Sequence, residues 1–450
     1  MKSSQKVTSF NKTLKKYMFI NNNLNLLLDK NNLSSNKFNF ENAKQTVKDD
    51  FFSPNECDSL FWCFYYIKYG EKPSLHSFKI EKDFKINFTN HDRSKKYFYV
   101  VEPQGMYTEI IKSLPKLINK DVLEDIKNDR AILCISYIQE GDYHQDFYKD
   151  INKFCDDTSI SINNVVFLTN NPKIEKTENI FNVNYYLNHM TVTYQNNSDR
   201  YNSIENLDDD IRPYYFLSFN RNPKLHRQVL GSLLLKNNLL DKGMMSMGYD
   251  VDGIHKFEHY VPTEYNRRTP IYSEQKIREL DLHRHMNEFK SMCPLLIEDD
   301  ITEEEIKDDH TSGWINIKPK TYNKAYFSIV AGNSFDTDWI HPDEKFWKPL
   351  GQFHPFIWLG PTGGIQHLKD MGFKSFSPYI DESYDTEEDC EKRMLMVVDE
   401  IKRLCSMNKK EIHEWYYSMK DILIHNWKRI VENDINPFYD TYNKLFNLIK

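Results

Sequence analysis

Apolar runs that stop abruptly at polar turns and lead into helical segments occur twice along this chain, and that rhythm restricts the fold more than any other feature. The first series opens with Ala131-Ile132-Leu133-Cys134-Ile135-Ser136-Tyr137-Ile138, which ends at Gln139-Glu140-Gly141-Asp142. A run this continuously apolar fits a strand covered on both faces, as in a parallel sheet. A helical stretch over 143–155 follows. A second strand is expected over 164–168, closed by Thr169-Asn170-Asn171-Pro172, and a third near 182–187. Strand, helix, strand at this spacing is the βαβ unit of a doubly wound sheet, whose ligand-facing loops follow the strands.

Asp208-Asp209-Asp210-Ile211-Arg212-Pro213 interrupts the pattern, after which it restarts. Strands are predicted over 214–219, 243–247, 325–330, 355–359 and 373–376. The intervening helices are predicted over 223–237, from about Asp343, and over 365–371. Two long amphipathic helices, 386–406 and 409–432, end the chain. At 450 residues the chain exceeds what one hydrophobic core usually supports. The expected division is residues 1–207, a Rossmann-like domain with a polar arm, then 208–405, a second such domain, then 406–450, a helical tail. The first 45 residues are rich in Asn, Lys and Ser and read as an arm or peripheral helix around Leu24 to Leu28. A buried helix is expected over 51–69, and a strand over 97–101.

Bulk charge narrows the partners. The net charge of −7 gives no electrostatic footprint for a polyanion and argues against nucleic acid. Seven cysteines form no C-x-x-C pair and sit in apolar stretches, the usage of reduced thiols in the cytoplasm. No apolar leader segment and no run of eighteen apolar residues occurs, so no membrane span is expected. Heavy use of Asn and Lys points to an AT-rich genome, viral or bacterial.

Three constellations could hold an anion. Asp343-Glu344-Lys345 opens a short helix between two strand runs, where Glu344 suits ribose hydroxyls and Lys345 suits phosphate oxygens; a solvated helix start whose acidic residues complement the dipole accounts for the same residues. Gly360-Pro361-Thr362-Gly363-Gly364 joins a strand to a helix, and Thr362, Gly363 and Gly364 could bring backbone amides to a phosphate; a tight βα turn accounts for the same residues. Asn220-Arg221-Asn222-Pro223-Lys224 ends a strand, placing Arg221 and Lys224 at its carboxyl end and Arg227 one helical turn on, either a phosphate clamp or a solvated residue. Glu140, Asp142 and His144 follow the first strand closely enough to supply a catalytic base, although Asp142 equally suits a helix cap. Asp-x-Asp pairs at 208/210, 250/252 and 336/338 are of the kind that hold a divalent metal, but none stands at a convincing strand end and no metal is expected.

The stretch from Ala325 to Asp385 resembles a group of viral and bacterial glycosyltransferases distantly similar to the C-terminal domains of fucosyltransferases and exostosins. E-K-x-x-K-P falls on Glu344, Lys345, Lys348 and Pro349; H-P-F-I-x-x-G on His354, Pro355, Phe356 and Gly360. G-F-x-(S/T)-F falls on Gly372, Phe373 and Phe376, D-E-S-Y-D on Asp381 to Asp385, and an upstream S-x-N-R-x-P-x-x-H-R on Ser218, Asn220, Arg221, Pro223, His226 and Arg227. The resemblance covers under a third of the chain. It implies a GT-B plan, two Rossmann-like domains facing a cleft with C-terminal helices packing back, and transfer of a sugar from a GDP- or UDP-linked donor to a glycan or glycoconjugate. In the fucosyltransferases, residues like Glu344 and Lys345 hold the donor's ribose and diphosphate. His341-Pro342-Asp343 replaces the Thr that usually precedes Glu-Lys there, which leaves the donor open. A catalytically inactive glycan-binding or virion scaffold of the same shape, and an enzyme glycosylating DNA bases, are the competing readings.

Overall fold

The computed structural model describes residues 24–28, 33–34, 86–88, 96–101, 103–104, 114–115, 118, 120–137, 147–173, 178–196, 210–220, 223–248, 278–293, 295, 297, 319–337, 339–432, 444 and 448. It is an α/β protein that divides into two compact units, one comprising Met1–Val192 with Asp434–Lys450 and the other Thr193–Asn433.

Strands of the first unit are β1 (Leu24–Leu28), β2 (Leu33–Ser34), β3 (Ile86–Phe88), β4 (Tyr97–Val101), β5 (Pro103–Gln104), β6 (Ala131–Tyr137), β7 (Val165–Thr169) and β8 (Ile180–Asn182). Six of them form one sheet in the order β3-β1-β4-β6-β7-β8, with every pairing parallel; β2 and β5 pair separately. The unit also has helices α1 (Lys120–Lys127), α2 (Phe147–Thr158) and α3 (Tyr185–Asn196) and a 3-10 turn at Ile162–Asn164, α3 running on into the second unit. Its core packs Ile126 and Phe154 against Leu133, Ile135, Val165 and Phe167.

The second unit has β9 (Tyr214–Asn220), β10 (Met244–Met247), β11 (Ala325–Ala331) and β12 (Phe356–Leu359), again all parallel, in the order β10-β9-β11-β12. β11 and β12 are buried at every position, as a sheet covered on both faces requires. The helices are α4 (Leu225–Lys236), α5 (Leu282–Met292), α6 (Pro319–Tyr322), α7 (Glu344–Trp347), α8 (Gly364–Asp370), α9 (Cys390–Ser406), α10 (Lys409–Ser418) and α11 (Lys420–Val431). Residues Leu225 to Leu234 of α4 are all buried, including His226, Arg227 and Gln228. Among the described residues no helix is long and apolar enough to cross a membrane.

Several sequence expectations need correction. Leu24–Leu28 is a parallel strand rather than part of a peripheral helix. The strand expected near 182–187 lies at Ile180–Asn182, and Tyr185 already begins α3. No strand forms over 373–376: the Asn426 carboxamide accepts from Lys374 N at 2.8 Å and donates to Lys374 O at 2.9 Å, supplying the pairing a neighbouring strand would have given. The last long helix breaks into α10 and α11 where Tyr379 Oη donates to Ser418 O, 2.9 Å away. The helix expected over 51–69 lies outside the described residues.

Candidate functional site

All four strands of the second unit end at one edge. Met247 pairs with Asn220 and Ala331 with Leu359, while Phe327 opposite Phe216 sets β9 and β11 level. The chain enters the sheet at β9, moves outward to β10, and returns on the other side through β11. The order therefore reverses between β9 and β11, and the carboxyl ends at such a reversal form the crevice where open α/β sheets bind ligands. The loop leaving β11 delivers Asp343-Glu344-Lys345 there.

Local sequence fixes that turn. The Asp343 side chain caps α7 by accepting from Lys345 N at 3.0 Å. Phe346 and Trp347, buried, anchor the other half: Phe346 packs edge-on against Phe356 and Trp358 with centroids 5.2 and 5.0 Å apart, and Trp347 Nε1 donates to Pro342 O at 3.0 Å. One helical turn thus carries charge on one side and an aromatic base on the other. Lys345 Nζ lies 2.7 Å from Asp343 Oδ2 and 3.1 Å from Glu344 Oε1, and the Lys345 side chain retains 20% of its exposure whereas Asp343 has none.

Burial and charge compete at Asp343, Lys345, Lys348 and Arg227. Burial pushes the Asp343 carboxyl up, but Lys345, His341 and Arg227 outweigh it and leave the group below its ordinary range. Burial pulls the Lys345 ammonium down, and the carboxylates of Asp343 and Glu344 more than offset it. Lys348 is brought down to about 8, burial being the first cause, with Lys345 adding to it and Glu344 and Asp343 opposing. Arg227 is lowered by burial and partly restored by Asp343 and Glu344, and an arginine keeps its proton regardless. Arg227, Lys345 and Lys348 are thus gathered with Asp343 and Glu344 in a largely buried place, where a group of cations can meet an anionic ligand.

The first turn of α4 secures the loop beyond β11. Arg227 Nη2 donates to Gly332 O at 2.8 Å and Ala331 O at 3.2 Å; His226 Nε2 lies 3.0 Å from Gly332 O; Lys224 Nζ donates to Asn333 O at 2.6 Å. Arg227 is thus a buried brace beside the carboxylates, not a solvated helical residue. Sequence reasoning placed Asn220 in the strand-end constellation but missed Gln228 and Ser334. Their Oδ1, Oε1 and Oγ atoms are buried without a hydrogen-bond partner at the end of β9, on α4 beside Arg227 and in the loop after β11. Nothing in local sequence marks Gln228 or Ser334, because their burial is set by tertiary packing.

The glycine-rich turn after β12 is built differently. Asp385 Oδ1 and Oδ2 accept from Ile365 N and Gln366 N at 3.0 and 3.1 Å, and Gly363 N donates to Asp385 O at 2.9 Å. The first amides of α8 are already engaged by a carboxylate of this chain. Thr362 Oγ1 donates to Glu388 Oε1 at 3.2 Å. Gly363 has φ +83°, a left-handed conformation that favours glycine. Gly332, Gly360 and Gly364 answer to Trp358: a Cβ at these positions would stand 2.7, 2.0 and 2.3 Å from its indole ring. Thr362, Gly363 and Gly364 consequently have a packing explanation that needs no ligand, and the amide cradle expected of them is filled.

Glu140, Asp142, His144 and Arg221 lie outside the described residues, as do Asp208, Asp250, Asp252 and Asp338. Among the described residues no cluster of His, Cys, Asp or Glu has an arrangement suited to a metal. A cavity of about 660 Å³ opens at the opposite, amino edge of the second sheet, lined by Tyr214, Leu240, Met244, Met292 and Lys324. It contains none of the charged cluster.

No protein-family model matches this chain, and no curated protein matches it.

Proposed function

We propose that the chain is a glycosyltransferase of the GT-B type that moves a sugar from a GDP- or UDP-linked donor to a hydroxyl of a glycan or glycoconjugate, the second unit holding the donor. The gathering of Lys345, Lys348 and Arg227 at the crevice between β9 and β11 supports this reading. In such a transfer the acceptor oxygen bonds to the anomeric carbon, the bond from that carbon to the diphosphate oxygen breaks, the acceptor proton passes to a base, and negative charge gathers on the departing diphosphate. Lys345, Lys348 and Arg227 offset that charge as it develops. Glu344 accepts from the ribose hydroxyls. Charge neutralisation is assigned to side chains, and the proposal requires no metal. The base is sought among Glu140, Asp142 and His144.

Thermal shift with UDP, GDP and their sugars tests the proposal. One nucleotide series should raise the Tm, and Lys345→Ala should abolish the rise. Failure of every nucleoside diphosphate to stabilise the protein would overturn the assignment. Stabilisation without release of free nucleotide, by hydrolysis or transfer, would identify a binding scaffold instead.

A further inference from the structure

β10 is an edge strand of the second sheet, and among the described residues its outer side is paired at Met247 alone. Met247 N donates to Leu295 O and Leu295 N to Met247 O, both at 2.9 Å, an isolated antiparallel bridge. Backbone groups of alternate residues in a strand leave on the same side, so the N–H and C=O of Met245 point outward with those of Met247. Gly243, extended at φ −133° and ψ −179°, continues the series. A second antiparallel rung would set Ile297 opposite Met245. It does not form: no hydrogen bond joins these two residues, and both line the cavity of about 660 Å³ at this edge, as does Gly243. Met245 is only 5% exposed, and among the described residues none bonds its outward N–H or C=O. Backbone groups buried in that state are costly, and an unpaired strand edge is a template for another chain.

We infer that this edge binds an extended peptide, which adds to β10 as a further strand. Gly243 and Met245 present their N–H and C=O two residues apart, the interval at which an extended backbone returns its own groups to one side; a small amide would meet one rung only. Met244, Met292 and Leu240 supply apolar walls for the side chains of such a peptide, and unbranched thioethers adapt to differing shapes. The charged residues of the lining, Asp241 and Lys324, are of opposite sign and favour no ion. The volume lies in the range that encloses a drug-sized ligand, enough for a short peptide. The inference stands apart from the sugar transfer proposed above, because this cavity lies at the opposite edge of the sheet from the charged cluster, so either can fail without the other.

A phage-displayed library of random linear octapeptides, selected on the full chain, supplies the probe, and the enriched sequences are synthesised with a fluorophore for polarisation titration. Methylating the backbone nitrogens one at a time should weaken binding by about tenfold or more at alternate residues of the peptide core and leave the residues between them unaffected, because a strand turns only every second N–H toward its neighbour. Met292→Lys, at a position 43% exposed on the last turn of α5, should weaken binding by about tenfold with an unchanged Tm. Enrichment of no sequence would overturn the inference. So would full affinity in Met292→Lys, which would put the peptide elsewhere, or a methylation pattern without the two-residue interval, which would mean that no strand is added; this last readout needs no variant of the protein.

Discussion

Two helices of the second unit start at the carboxyl edge of the same sheet, each with a carboxylate on its first amides, and they end in opposite electrostatic states. At α7 the carboxylate is Asp343, the local cap, and it gathers Lys345 with Arg227 and Lys348 nearby, so that cations collect beside the amides. At α8 it is Asp385, which arrives from later in the chain and closes the amides of Ile365 and Gln366. A helix N-terminus is therefore not an anion site by its dipole alone. What already occupies its amides, and which side chains surround it, decide the matter.

The contrast is broken most directly by Lys345→Ala. This change should weaken nucleoside diphosphate binding about a hundredfold, roughly 3 kcal/mol by isothermal titration; a change of less than threefold would detach the cluster from the ligand. Asp385→Asn should act on the other helix alone. It turns one acceptor into a donor that faces an amide N–H, which costs about 2 kcal/mol in urea unfolding and leaves nucleotide affinity unaltered. A parallel loss of affinity would mean that α8 does contribute to the ligand site.

Acidity sharpens the contrast further. Lys348 in the free protein holds its proton below about 8 and loses it above. Affinity for an anion should accordingly be level below that pH and fall as pH rises through it, by up to about tenfold per unit; affinity flat up to pH 9.5 would remove Lys348 from the site. The same group has a folding consequence of defined sign. Its ordinary value of 10.5 applies to the unfolded chain, which retains the proton between about 8 and 10.5 while the folded protein does not, so this group makes stability rise with pH across that window. The smallest effect is expected from Gly363→Ala, at φ +83°, which should cost about 1 kcal/mol of stability and leave binding untouched; calorimetry and titration on one preparation check both.

Much of this arrangement was legible in the sequence. β4, β6, β7, β9, β11 and β12 fall within a residue or two of the runs that announce them, because parallel strands covered on both faces leave long apolar signals. Leu24–Leu28 did not, since leucine favours helices and only its pairing with β3 and β4 makes it a strand. The 373–376 run has strand composition, but its backbone found a carboxamide from α11 instead. In the site, Glu344 and Lys345 were visible through their position between two strands and through the resemblance. The bracing by Arg227 and the closure by Asp385 depend on groups brought together from 20 to more than 100 residues away, and the depressed value of Lys348 depends first on its burial by the folded chain. Periodicity carries no record of such meetings.

Trp358 gives three of the glycines in this region a common origin. One indole ring excludes a Cβ at positions 332, 360 and 364, so these glycines are one steric constraint written three times. A relative with a small residue in place of that tryptophan would be free to abandon all of them together while keeping its ligand chemistry intact. A search that weighed each glycine as an independent mark of phosphate recognition would mistake the footprint of a tryptophan for that of a nucleotide.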